Sequence, residues 1–170
     1  MYPVTLGYDE AVRRIKKLSS NGHHAEALIT AVFTTEKTIR RTLRFMAVSR
    51  GFTSKHSDLL FHKKGFKDIK DVWPCFDREH RTLPEIIGTH WQHIDKAVTM
   101  RNKMAHGERV YPLKECREQT DRVLLGLNAL QQRLKHDYQF DGWSRAPTRI
   151  KPRLQWIEFK PPCTSSKKKP

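Results

Sequence analysis

The segment Arg101-Asn102-Lys103-Met104-Ala105-His106 places a guanidinium five residues before an imidazole. Those residue types suit cleavage of an RNA phosphodiester without a metal. Histidine exchanges a proton near neutral pH, so it can take one from a ribose 2′-hydroxyl or give one to the leaving 5′-oxygen. A guanidinium stays charged throughout. It offers two parallel donors to the negative charge that grows on a phosphorane-like transition state. Asn102 lies four residues before His106, on the same helix face, and can orient the imidazole or hold a phosphate oxygen. Arg101 and His106 themselves fall about 140° apart around a helix axis. They flank a stripe instead of sharing it, so both can border a groove where two helices or two subunits meet. Both also suit a plainer task, as cations beside the negative C-terminal end of a helix dipole.

A helix must carry this segment. Thr89 is expected to cap one that runs through Trp91, Ile94, Ala97 and Val98 to Ala105, with Gly107 ending it and leaving His106 at the rim. Pro112 then opens a last long helix. Its buried stripe is Cys116, Val123, Leu124, Leu127, Leu130 and Leu134, and it ends near His136. Upstream, Val12, Ile15 and Leu18 mark a helix from Tyr8 that stops at Asn21-Gly22. A long second helix runs from near His23 to about Arg50, with Gly51 as its C-terminal cap. Leu28, Ile29, Val32, Phe33, Ile39, Leu43 and Met46 are among its apolar members. Glu36 interrupts that run. A carboxylate there can pair with Arg101 across the bundle and hold it, or simply be solvated.

Phe52 to Pro84 is less regular. A helical turn is expected at Ser57–His62 and a short amphipathic piece through Phe66, Ile69, Val72 and Trp73, stopping before Pro74. Thr82-Leu83-Pro84-Glu85 then reads as a helix start, with Thr82 as N-cap. This stretch fits a packed connection between bundle helices better than a lid. After Tyr138, Pro147, Pro152, Pro161 and Pro162 exclude a long helix. Residues 139–163 read as a basic arm packed on the body, with Leu154, Trp156, Ile157 and Phe159 as an extended strand. Residues 164–170 read as a disordered basic tail. The fold class expected for residues 1–138 is therefore all-α, an antiparallel helical bundle.

Composition narrows the partners. Thirty-three Lys and Arg stand against 18 Asp and Glu, a formal net charge of +15. Such a chain attracts polyanions. No apolar run approaches the ~20 residues of a membrane span, so among RNA, DNA and anionic membrane a nucleic acid leads and membrane is not expected. The three cysteines are widely spaced without a CxxC pair, and Met1-Tyr2-Pro3-Val4 shows no charged-then-apolar leader. Both point to a reducing, cytoplasmic setting. His90 and His93, with His80 and Cys75 upstream, lack the paired spacing of a zinc site. No metal and no cofactor are expected, and no Gly-rich phosphate loop or serine elbow occurs.

Arg-Asn-Lys-Met-Ala-His-Gly resembles the signature of the HEPN superfamily: Arg, a polar residue, three further residues, then His. Its place, at the end of the penultimate long helix, agrees. The resemblance covers roughly residues 8–137. It implies a helical bundle and a metal-independent endoribonuclease of the kind found among toxins, phage-defence factors and RNA-processing enzymes. It also implies a homodimer in which two such segments face one cleft. Arg101, Asn102 and His106 match the signature as catalytic residues. Glu36 and Tyr111 are supporting candidates, and Lys103 and Arg109 add charge for RNA beside them. The nucleotidyltransferase-partnered branch has a Tyr two residues after the His, where this chain has Glu108. A cognate antitoxin or regulatory protein is a further candidate partner. Two readings compete: a non-catalytic basic helical module that binds nucleic acid, motivated by the arm from Arg145 onward, and an antitoxin or adaptor that docks a protein.

Overall fold

The structure, a computed structural model, describes residues 7–61 and 64–153. The described chain is helical and contains no strand. Seven helices follow in order: α1 (Tyr8–Ser20), α2 (His24–Ser49), α3 (Ser54–Phe61), α4 (Phe66–Phe76), α5 (Leu83–Ile87), α6 (Trp91–Ala105) and α7 (Leu113–Tyr138). A 3₁₀ turn, Gly88–His90, joins α5 to α6. No helix is long and apolar enough to cross a membrane among the described residues.

The helices pack as an all-α bundle around α2, which touches α1, α3, α4, α6 and α7. The direction of each follows from its contacts. Lys96 pairs with Glu115 at 3.2 Å and Gln119 donates to the His93 carbonyl at 2.5 Å, so α6 and α7 are antiparallel. Gly126 lets them approach closely, because a Cβ there would stand 3.2 Å from the Ile94 side chain. The three-residue link from Ser20 to His24 turns α1 back along α2. At one end, His24 shares a surface groove with Arg117 and Leu124. At the other, Phe45 stacks on Phe140 at 4.4 Å. Thus α2 runs in the same sense as α7 and opposite to α6.

The buried face of α2 is partly polar. Thr34, Thr35, Thr38 and Thr42 are buried, and each hydroxyl donates to the carbonyl four residues earlier at 2.7–3.0 Å. A hydroxyl satisfied within its own helix can be buried at little cost. These threonines take core positions, and Phe33, expected in the apolar face, is turned outward and 40% exposed.

Local signals set most helix ends. Gly51 and Gly107 follow α2 and α6 at φ 101° and 68°. Thr82 caps α5 in a reciprocal box with Glu85. Two expectations are corrected. Thr89 caps nothing, because it lies inside the 3₁₀ turn. Pro74 does not stop α4, which continues to Phe76. Proline forfeits one backbone hydrogen bond, and the fully buried Trp73 beside it anchors the last turn. The stretch between α2 and α5 is a packed connection, with Phe61, Ile69 and Trp73 in the core.

Past α7, residues 139–153 lie along α2. Arg41 donates from Nε to the Gly142 carbonyl at 2.7 Å and from Nη2 to the Trp143 and Ser144 carbonyls at 3.1 and 2.9 Å. Trp143 Nε1 donates to Thr38 Oγ1 at 3.0 Å, and Arg149 Nε to the Val48 carbonyl at 3.1 Å. The strand expected over Leu154–Phe159 and the tail 164–170 lie outside the described residues.

Candidate functional site

Arg101 lies in the second-last turn of α6 and faces α2. Its Nη2 donates to Glu36 Oε1, and its guanidinium carbon lies 5.0 Å from the centroid of the Phe33 ring. The two paired side chains are 16% and 13% exposed. The Nε of Arg101 is buried and has no hydrogen-bond partner among the described residues. Burial pushes the Glu36 carboxyl up from its ordinary range, and the Arg101 and Arg40 charges and the Arg101 hydrogen bond pull against that. Glu36 is therefore the residue across the bundle that the interruption in the α2 pattern called for.

His106 is the C-cap of α6. Its N–H donates to the Asn102 carbonyl at 3.0 Å, and its side chain is exposed. Gly107, at φ 68°, turns the chain away from it. Neither His106 nor Asn102 makes a side-chain hydrogen bond or ion pair among the described residues. Arg101 and His106 thus differ in state. One is packed and paired, and the other stands open to solvent about 7 Å further along the axis. Among the described residues their side chains make no hydrogen bond or ion pair with one another. Lys103 is half-buried. Arg109 is exposed and stacks on Tyr111, with its guanidinium carbon 4.8 Å from the ring centroid. Tyr111 is 9% exposed and belongs to the core, so its ring braces the loop after α6.

A feature that the spacing around Arg101 did not single out lies on α2. Phe33, Lys37, Arg40, Arg41 and Arg44 recur at intervals of four, three, one and three residues, which is a single helical stripe. With α3 they line a groove of about 560 Å³ that Glu36 also borders. The signal was present in the sequence, but it resembled ordinary charge on a solvated helix face.

The histidines and cysteines raised as metal candidates are dispersed. His80 Nδ1 contacts the Pro74 carbonyl at 3.0 Å, Cys75 is exposed, and Cys116 is buried in the core. Among the described residues no three His, Cys, Asp or Glu side chains form a set that could hold a metal ion.

A second polar cluster serves the fold. Asp77 is fully buried. It accepts from the Tyr138 hydroxyl, from Arg81 Nε and Nη2 at 3.2 Å each, and from the Arg81 and Glu79 backbone N–H groups at 2.8 and 3.1 Å. Arg81 also reaches Asp137 at 3.0 Å. Burial alone would raise the Asp77 carboxyl, but the Arg81 and Tyr138 hydrogen bonds overcome it and hold it at about 2. This network ties the α4–α5 connection to the end of α7.

The fold and site together define an all-α bundle with an Arg–Glu pair on α6 and α2, an open histidine, and an adjoining basic groove. Comparison with family models, curated proteins and solved structures returns no match to this chain.

Proposed function

We propose that this protein is a metal-independent endoribonuclease of the HEPN type, acting as a homodimer in which two copies of the Arg101–His106 segment share one cleft. The observation that carries the reading is the contrast along one helix end. Arg101 is paired with Glu36 and largely buried, while His106 is left open and unpaired among the described residues on the same helix. A fixed cation and an accessible proton carrier are what transesterification at phosphorus requires.

In a shared cleft, two His106 side chains divide the proton transfers. One takes the proton from the 2′-hydroxyl, whose oxygen attacks the neighbouring phosphorus. The other gives a proton to the departing 5′-oxygen. The products are a 2′,3′-cyclic phosphate and a 5′-hydroxyl, with no net change in protons. The two Arg101 guanidinium groups oppose the charge on the non-bridging oxygens, and Asn102 positions a phosphate oxygen or an imidazole. Toxin, defence and processing roles all use this chemistry, and an antitoxin would act by covering the same helix end.

The test is incubation of purified protein with structured and unstructured RNA in EDTA. Cleavage to cyclic-phosphate ends, lost in His106→Ala, is expected. Equal cutting by His106→Ala rejects the assignment. The low exposure of Arg101 favours one rival, a basic module that binds nucleic acid without cutting it. Salt-sensitive RNA binding with no cleavage at any protein concentration selects that rival.

A further inference from the structure

We infer that the groove between α2 and α3 is a docking track for single-stranded RNA, leading along α2 to the Arg101 end of the helix pair. The inference rests on the proposed RNA-directed function for its choice of polyanion, and on its own geometry for its place.

Three observations carry it. The first is charge without matching countercharge. Lys37, Arg40, Arg41 and Arg44 line the groove, and the carboxylates there are Glu36, engaged by Arg101, and Asp58, 3.2 Å from Arg44. Arg40 and Arg41 are oriented by neutral groups instead. Arg40 donates to the carbonyls of Phe61, at 2.9 Å, and Lys64, and Arg41 to three carbonyls of residues 142–144. Carbonyl partners orient both guanidinium groups without an ion pair, while the carboxylates of Glu36 and Asp141 act on Arg40 and Arg41 from beyond pairing distance. The cations also act on one another: burial and then Arg41 lower Lys37, and burial and then Arg44 lower Arg41 against an opposing pull from Asp141.

The second is an aromatic surface among the cations. Phe33 is 40% exposed in the groove wall, and Lys37 lies 4.7 Å from the Trp143 ring centroid at its other side. Bases of a single strand stack on such rings while the backbone follows the cations, with little dependence on sequence. A duplex would present only its backbone and leave Phe33 without a role.

The third is continuity. Lys37 to Arg44 spans about 10 Å of helix. Beyond Lys37 the stripe reaches Phe33, where Arg101 sits. Because α6 runs opposite to α2, His106 lies further along the same line. A strand in the groove is therefore delivered past Arg101 towards His106.

The experiment measures binding of a fluorescent 12-nucleotide 2′-O-methyl RNA, which offers no 2′-hydroxyl for attack, to the full chain over a salt series. Lys37→Ser with Arg44→Ser is expected to weaken binding about tenfold or more and to flatten the salt slope by about 1.4, roughly 0.7 for each cation removed. The Arg44–Asp58 pair is half-exposed, so its loss leaves the fold intact, which circular dichroism verifies. Phe33→Ala is expected to weaken binding about tenfold. Removing equal charge elsewhere, with Lys67→Ser and Lys114→Ser, is expected to change it less than threefold. Equal losses from both double variants, or wild-type binding by the groove double variant and by Phe33→Ala, overturn the inference. Tighter binding of a duplex than of the single strand also overturns it. A groove that binds in a protein that never cuts sinks the nuclease reading alone. A protein that cuts with an inert groove sinks this inference alone.

Discussion

Arg101 on α6 and Glu36 on α2 are 65 positions apart in the chain and form an ion pair that is mostly withdrawn from water. Each limits the cost of burying the other. The pair joins two helices at the point where the basic stripe of α2 meets the segment that ends in His106.

Removing Arg101 isolates a buried carboxyl. Arg101→Ala is expected to cost about 3 kcal/mol, the lower end for breaking a buried pair. Glu36 already titrates above its ordinary range, so it can take up a proton and cap the loss. The sign follows: a raised folded-state pKa favours the folded protein below the unfolded value, and that advantage is lost as pH rises through the folded pKa. In Arg101→Ala the Glu36 carboxyl is expected to move further up, widening that window above 4.5. Carboxyl NMR of Glu36 reads this directly, and an unmoved titration argues against the pairing.

Arg101→Lys separates positioning from charge. Lysine keeps the cation but not the planar fork, so it can hold Glu36 only through a point contact. Folding is expected to survive, with melting close to wild type, while RNA cleavage falls at least tenfold. Full cleavage by Arg101→Lys contradicts a bidentate role at the transition state.

Asp77 is expected to make the fold acid-sensitive. Its carboxyl is held at about 2, against 3.8 for an ordinary Asp. A depressed pKa stabilises the folded state above the unfolded value, and the contribution is lost as pH falls from about 4 to about 2. It amounts to roughly 2 kcal/mol. The difference in unfolding free energy between pH 5.5 and pH 2.5 should shrink by that amount in Asp77→Asn. An undiminished difference would assign the acid sensitivity to other carboxylates.

Gly142 is where the segment after α7 touches α2 most closely. A Cβ there would lie 2.6 Å from Thr38 Cγ2, and φ is 77°. Gly142→Ala is expected to destabilise by about 1–3 kcal/mol. Thr38→Ser removes the clashing methyl and keeps the hydroxyl that Trp143 uses, so the combined variant should recover part of the loss. Simple additivity of the two changes would show that the contact is not what Gly142 protects.

The helices were legible in the chain because their signals are local. Apolar spacing in Val12, Ile15 and Leu18, the stops at Gly51 and Gly107, and the Thr82–Glu85 box act within a few residues. Hydrogen bonds to the fourth residue back need no distant partner, which is why the all-α class could be read directly. Even there, Phe33 was misplaced in the buried face, since the satisfaction of four threonine hydroxyls by their own backbone shows only in three dimensions.

Tertiary packing decided the rest. Residue types and spacing named Arg101, His106 and Glu36 as a candidate set and Gly107 left His106 at the rim, but only the crossing of α6 on α2 decided that Glu36 is paired with Arg101 and not solvated. The same packing turned a run of ordinary surface cations into a groove, because α3 closes its second wall. Charge and periodicity are properties of neighbours in the chain. Burial, pairing and the field in a groove depend on residues brought together from far apart.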